Sequence, residues 1–224
     1  MRPLIPALVL VAVTACGGRP VAAVQANAQE QPTAPDSMAR ARLADLSSID
    51  GLRLDIRYAT PNNFTSAPLP GYGVPRAFLR REAAQALARV QGGLKARGYG
   101  LKVWDAYRPV RATLAMVAWC ERTGNTRLLD DGYIARRSRH NQGVAIDLTV
   151  VELASGRELA MGTPFDEFSK RSHTANATGE VANHRKLLVD AMAAEGFVNY
   201  VDEWWHYSFV VADPMPFDLA LEGW

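Results

Sequence analysis

Cysteine is nearly absent from this chain: among 224 residues only Cys16 and Cys120 carry a thiol. Two cysteines make no disulfide framework, so the fold has to hold together through a hydrophobic core. Histidine is scarce as well, and any imidazole site must draw on His140, His173, His184 and His206. An excess of one charge is also missing, with 25 Lys and Arg against 23 Asp and Glu and a formal net charge of +2. That is too small to imply nucleic acid or an anionic surface as the partner, so specificity has to come from a local site. There is no internal repeat. The apolar run near the start, "LIPALVLVAV", is about 10 residues, half of what a membrane-spanning helix needs. What is present is 48% hydrophobic and 21% charged residues, enough to bury one sizeable core in one domain.

The first residues read as a targeting segment rather than as fold. Met1 and Arg2 make a basic end, the apolar run follows, and "VTAC" closes it with small residues, so 1–15 is expected to be a secretory signal peptide. "VTAC" resembles a bacterial lipobox, which implies cleavage before Cys16 and a lipid on its sulfur; an ordinary signal peptide cleaved nearby is the alternative. A lipidated Cys16 leaves Cys120 without a partner in the chain. From 16 to 42 the sequence is rich in Ala, Gln, Pro and Gly without periodicity and is expected to be a flexible tether. The folded domain is then 43–224.

Within that domain helical and strand periods alternate. Ala83, Leu87, Val90 and Leu94 recur at helical spacing, with Gly98 placed to end the helix. "LKVWDAY" reads as a strand, and Pro109 suits the first turn of a second helix whose Leu114, Val117 and Ala118 face a core. In "VAIDLTVVEL" the residues Val144, Ile146, Leu148 and Val150 share one face, which leaves Asp147 on the other. "EVANHRKLLVDAMAAEG" is a third helix stopped by Gly196, and "EWWHYSFVV" is a β-rich end. Helices and strands without regular βαβ alternation predict an α+β domain, a central antiparallel sheet carrying the site and flanked by helices.

"SRHNQGVAID" sets His140 seven residues before Asp147, and "DEWWHYSF" sets Glu203 three before His206. A lone histidine ahead of a strand is most often a hydrogen-bonded loop residue. His184, between Asn183 and Arg185, fits a solvated helix face. A hydrolytic zinc site needs about three protein ligands, an open position for water and a carboxylate to take the proton of that water. His140, Asp147 and His206 fit as ligands and Glu203 as the base. In a β context residues three apart point to opposite faces, so Glu203 has to sit in the loop that enters the final strand. Trp204 and Trp205 read as packing around it.

Taken together, "SRHNQGVAIDLT" and "EWWHYSF" resemble the paired signatures of the zinc D-alanyl-D-alanine dipeptidases of the VanX type, which share their metal-site architecture with certain D-Ala-D-Ala carboxypeptidases. "DIRYATPNNF", "WDAYRP" and "MGTPFDEF" with a following "SH" match as well, so the resemblance runs from about Leu52 to Val211. It implies one Zn²⁺ held by His140, Asp147 and His206, with Glu203 as catalytic base and acid and Arg108 stabilising the transition state. Tyr58, Tyr72, Ser138 and Asp166 match substrate-pocket positions. Arg139 is a bulky charge inside the first motif and bears on the pocket mouth. His173 has no ligand role, because the metal set is filled without it; it orders the loop around Asp166 or supports the ligands.

The roles make physical sense. A zinc-bound water has a pKa of about 7, so Glu203 can deprotonate it, and the always-protonated Arg108 can stabilise the oxyanion that forms. Alone, Arg108 would read as an ion-pair residue and Asp166 as the cap of a short helix at "DEFSK". With the resemblance, Asp166 holds the free ammonium of a dipeptide. The expected function is hydrolysis of D-Ala-D-Ala to two D-alanines by a metal-activated water, in cell-wall peptide turnover or scavenging. The partners are a small D,D-dipeptide, no nucleic acid, and a membrane through the lipid anchor on the outside of the cell. The alternatives are a carboxypeptidase acting on longer cell-wall peptides and a non-catalytic zinc-binding lipoprotein.

Overall fold

Asp147 is the third residue of a strand, β5 (Ala145–Glu152), in which both faces are covered. Ile146, Leu148 and Val150 are wholly buried on the apolar face, and the face opposite is that of the site. The structure, a computed structural model, describes residues 32–224. The expected signal peptide, Cys16 and most of the tether lie outside these residues.

The tether expectation fails over its last residues. Helix α1 (Asp36–Arg42) buries Ala39 completely, and before it Ala34 bridges Phe217, its N–H donating to Pro216 O at 2.9 Å. Asp36 in the first turn and Arg40 and Arg42 in the last complement the helix dipole. Seven residues are under two turns, too few to register as a period. Strand β1 (Leu43–Asp45) follows and pairs with β3 (Phe78–Arg80), and between them lies the two-residue β2 (Arg53–Leu54).

Helix α2 (Arg81–Lys95) buries all four predicted residues, and Gly98 reverses the chain at φ +83°. The buried Gln91 accepts from Leu101 N–H at 2.8 Å and fixes α2 to β4 (Tyr99–Asp105). Helix α3 (Val110–Thr123) takes Pro109 as its N-cap rather than in its first turn. Its buried stripe is Ala112, Thr113, Met116, Val117 and Cys120; Leu114 is only half-buried and Ala118 is exposed, because the stripe is set one position away from the one expected. A short α4 (Arg127–Asp130) precedes β5. Helix α5 (Gly179–Ala194) ends before Gly196 at φ +87°, and β6 (Phe197–Asn199) and β7 (His206–Phe209) close the chain's sheet.

The main sheet has the order β2-β4-β5-β7-β6 and is antiparallel except for the edge pair β2–β4. Its register positions the site. Asp105 lies opposite Asp147, and Asp147 opposite His206, so three neighbouring strands present these side chains in a row. A register shift between Val103 and Asp105 makes this possible. Continued pairing would have set Trp104 opposite Asp147; the bulge puts a carboxylate there instead. Among the described residues no helix is long and apolar enough to cross a membrane.

Candidate metal centre and substrate pocket

His140 reaches the row from outside the sheet. It stands in a 3₁₀ turn, Arg139–Gln142, whose N-cap Ser138 accepts from His140 N–H at 3.2 Å, with Asn141 bonding back to the Ser138 backbone. Gly143 then turns the chain into β5 at φ +67°, where a Cβ would collide with Leu43 at 2.4 Å. The imidazole donates from Nδ1 to Ala106 O at 2.6 Å, so Nε2 carries the lone pair that faces the site. There it lies 3.2 Å from His206 Nδ1 and 3.4 Å from Asp147 Oδ2, and His206 Nδ1 lies 2.9 Å from Asp147 Oδ1. The ligand atoms of the three residues are all within 4.8 Å of one another.

Beside them Arg108 is held as a fork. Nε and Nη2 donate to Asp105 Oδ2 at 2.9 and 2.8 Å, and Nη2 is 3.9 Å from Asp147. Burial works against the charge, but Asp105, Tyr58, Tyr72 and Asp147 together outweigh it, so the guanidinium is held well above its ordinary pKa. Tyr72 donates its hydroxyl to the other oxygen of Asp105. Tyr72 is thus a correction to the expected pocket: it is buried behind Arg108, where it orients Asp105, and does not line the cavity. Asp105 itself was not singled out in the sequence. It lies three residues before Arg108, but its place on the site face depends on the bulge.

The cavity has a volume of about 250 Å³, room for a small ligand only. Tyr58, Arg108, Ser138, Asp166 and Glu203 line it together with the ligand set. Glu203 stands in the turn that enters β7, as expected, with Oε2 3.8 Å from His206 Nδ1. Asp166 takes a left-handed backbone, φ +61°, and accepts from Tyr58 OH at 3.2 and 3.0 Å. No helix begins at "DEFSK"; the nearest turn, Lys170–Ser172, is capped by Ser169, so Asp166 caps nothing. Ser138 lines the cavity but spends its side chain on the His140 turn. Arg139 is exposed at the mouth and donates to Phe209 O at 3.1 Å.

His173 joins two segments of the rim, 3.1 Å from Tyr133 OH and 3.2 Å from Asp202, next to Glu203. Trp204 and Trp205 are buried against each other, edge to face at 5.4 Å. Two helix residues differ from the sequence reading. His184 is half-buried and 2.9 Å from Ala160 O, and its neighbour Arg185 is almost wholly buried. Cys120 is buried without a disulfide.

The electrostatics are those of a cation site. Asp147 is pushed up by burial and down by His140 and His206, and the imidazoles win, holding it well below the usual carboxylate range. Glu203 goes the other way, well above its ordinary value, through burial first and then through Asp147 and Asp166. Asp166 is raised in the same manner, by burial and by Asp147. Burial also lowers His206, which favours the neutral, ligating form. Buried carboxylates outnumber the single guanidinium at the site, and nitrogen and oxygen donor atoms of three residues converge. A divalent cation with a taste for nitrogen and oxygen donors fits that set.

Comparison with known proteins agrees. The family model described as D-ala-D-ala dipeptidase, of the M15 peptidases, matches residues 39–216. A D-alanyl-D-alanine dipeptidase of Enterococcus faecium is 38% identical over 175 residues, 71% of this chain and 86% of that relative. One from Enterococcus faecalis is 37% identical over 183 residues, 75% of this chain and 90% of its own. One from Escherichia coli is 33% identical over 180 residues, 78% of this chain and 88% of its own. The chain belongs to the D-Ala-D-Ala dipeptidase family of the M15 metallopeptidases and is a hydrolase.

Proposed function

We propose that this hydrolase splits free D-alanyl-D-alanine into two D-alanines with one zinc ion per chain. His140, Asp147 and His206 would hold the ion. The observation that carries the reading is a small cavity in which a ligand set and a raised carboxylate, Glu203, face a second carboxylate, Asp166. When bound, zinc supplies a charge that polarises the scissile carbonyl, lowers the pKa of water to about 7 and favours ionised carboxylates nearby.

The chain's own groups do the rest. Glu203 takes the proton of the attacking water and returns it to the leaving amine nitrogen, a general base and then a general acid. Arg108, pre-aimed by Asp105, donates to the oxyanion as its charge grows and needs no reorganisation to do so. Asp166, oriented by Tyr58, takes the free ammonium of the substrate. A longer or blocked peptide brings no ammonium to that place and leaves a desolvated carboxylate without its partner.

The test uses zinc-loaded protein with free D-Ala-D-Ala, its N-acetyl form and a pentapeptide ending in D-Ala-D-Ala, with and without chelator. Losing a buried charge-assisted contact costs about 2–5 kcal/mol, so kcat/KM should fall by ~30-fold or more on acetylation. Chelation should stop all turnover and zinc should restore it. Equal cleavage of all three would make the protein a carboxypeptidase and remove the role of Asp166.

We also propose that the protein works outside the cytoplasm, anchored by a lipid on Cys16. The signal-like residues 1–15 and the "VTAC" ending support this. In that compartment the substrate comes from wall peptide turnover or scavenging. A cytosolic protein with Met1 intact, read by mass spectrometry of cell fractions, would refute it.

A further inference from the structure

Arg185, on α5, is 2% exposed, and among the described residues every hydrogen bond of its guanidinium goes to a main-chain carbonyl. Nε–H donates to Met161 O at 2.9 Å, Nη1 to His173 O at 2.7 Å and Nη2 to Arg171 O at 3.0 Å. Among the described residues no carboxylate pairs with it; burial lowers its pKa and Tyr207 opposes that. A buried charge held this way is costly unless the hydrogen bonds it makes fix something of use.

What they fix is one loop. Met161 is where the chain leaves the sheet region, after Leu159 N–H has bonded Val150 O, and residues 171–173 are where it returns beneath the Glu203 turn, with Trp204 N–H donating to Ser172 O at 3.0 Å. Asp166 stands between these two feet in its left-handed conformation. A single planar fork therefore ties both feet together. Gly162 allows the approach: at φ +86° a Cβ there would meet Val181 at 2.9 Å and Arg185 Nη2 at 3.3 Å. The guanidinium also lies over Trp204, 5.9 Å from its ring centre, and Trp204 Nε1 donates to Thr163 Oγ1 at 2.8 Å, inside the loop. Trp204 directly follows the base in sequence, so the loop is braced against the wall that carries Glu203.

We propose that Arg185 is the positioning residue that sets where Asp166 stands relative to Glu203, and through that makes the pocket select a free dipeptide. This rests on the reading of Asp166 as the ammonium partner. Lysine cannot replace it, because one ammonium centre cannot span three carbonyls arranged around a planar fork.

The full zinc-loaded chain and its Arg185→Lys, Arg185→Gln and Asp166→Asn variants are compared on free and N-acetyl D-Ala-D-Ala, with zinc stoichiometry and Tm measured alongside. Arg185→Lys should keep its zinc and raise KM for the free dipeptide ~10-fold, with kcat within about 3-fold. The acetylated substrate should be little affected, so the preference for the free dipeptide narrows ~10-fold. An unchanged preference, or an equal loss on both substrates that follows a lower Tm, would overturn the proposal. If Asp166→Asn leaves the preference intact, the Asp166 reading fails first. If Asp166→Asn narrows it and Arg185→Lys does not, only the role of Arg185 fails. Should Arg185→Lys not fold, Arg185→Gln, which buries no charge and keeps two donors, decides by the same ratio. If neither variant folds with zinc, Arg185 serves the fold and the proposal falls.

Discussion

Asp147 and His206 stand opposite each other on paired strands, whereas Asp166 and Glu203 stand on turns joined to those strands. The first pair inherits its geometry from a sheet register that cannot slip by one residue without reversing every side chain. The second pair is placed by local ties: Tyr58 and the braced loop for Asp166, and the entry into β7 for Glu203. Two of the three metal ligands are thus built on the rigid scaffold, with His140 held beside them by its capped turn and by Ala106 O, and the side that would read the substrate on segments whose positions can be tuned separately. Damage to the first should cost the ion, and damage to the second should cost turnover or selectivity with the ion still bound.

The largest effect should come from the scaffold side. His140→Ala, Asp147→Ala or His206→Ala removes one of three protein ligands, and elemental analysis should find zinc falling from one per chain to a trace. Activity should drop to that of the chelated wild type. His184→Ala is the control: its contact with Ala160 O is worth about 1 kcal/mol of stability, and zinc and turnover should stay near normal. A fully zinc-occupied His140→Ala protein would end the assignment of the ligand set.

A graded series probes the boundary between the two sides. Glu203→Ala should keep its zinc and lose ~10²–10⁴ in kcat, as a general base does. Arg108→Ala should lose ~10²–10³. Asp105→Asn loosens the fork on Arg108 and the support beside His140 Nδ1, 3.4 Å away, and should cost ~10–100-fold. Tyr72→Phe, one step further back, should cost least. A Tyr72→Phe loss as large as that of Arg108→Ala would mean that Tyr72 touches substrate after all.

The same contrast explains what could be read in the sequence. Alternation in "VAIDLTVVEL" located Asp147, and the three-residue step from Glu203 to His206 in a β context put Glu203 in a loop, because both follow from the period of a strand. Helix α2 was legible from its apolar spacing and its glycine stop, and the end of α5 from Gly196. Asp105 was not, since a bulge breaks the period and nothing in "LKVWDAY" marks it with a glycine or proline. Tyr72 matched a pocket motif, but a motif does not tell which face of a residue meets the cavity. "NHRKLL" reads as a solvated stretch, yet Arg185 is buried because its donors meet carbonyls of a loop distant in sequence. Helix α1 was too short to show a period at all.

The smallest effect expected is one of stability, and it bears on the tuned side alone. In the metal-free protein Glu203 is pushed well above its ordinary value of 4.5, by burial and then by Asp147 and Asp166. Below about pH 4.5 the carboxyl is protonated in both the folded and unfolded chain and costs nothing. As pH rises through the window up to the folded-state pKa, the unfolded chain gives up its proton more readily, so stability is lost. Asp147 behaves in the opposite sense, with its contribution lost as pH falls, and because it is one of the charges that raise Glu203, the difference between wild type and variant reads the interacting pair. Glu203→Gln keeps the shape and removes the titration. In chelated protein it should therefore be more stable than wild type at pH 8, with the gap closing near pH 4.5. Urea denaturation at the two pH values reads this directly. Zinc should shrink the gap at pH 8, because a cation beside Glu203 favours its ionised form. A gap that is the same at both pH values, or indifferent to zinc, would mean that the Glu203 carboxyl is not strained by burial and does not share its site with the ion.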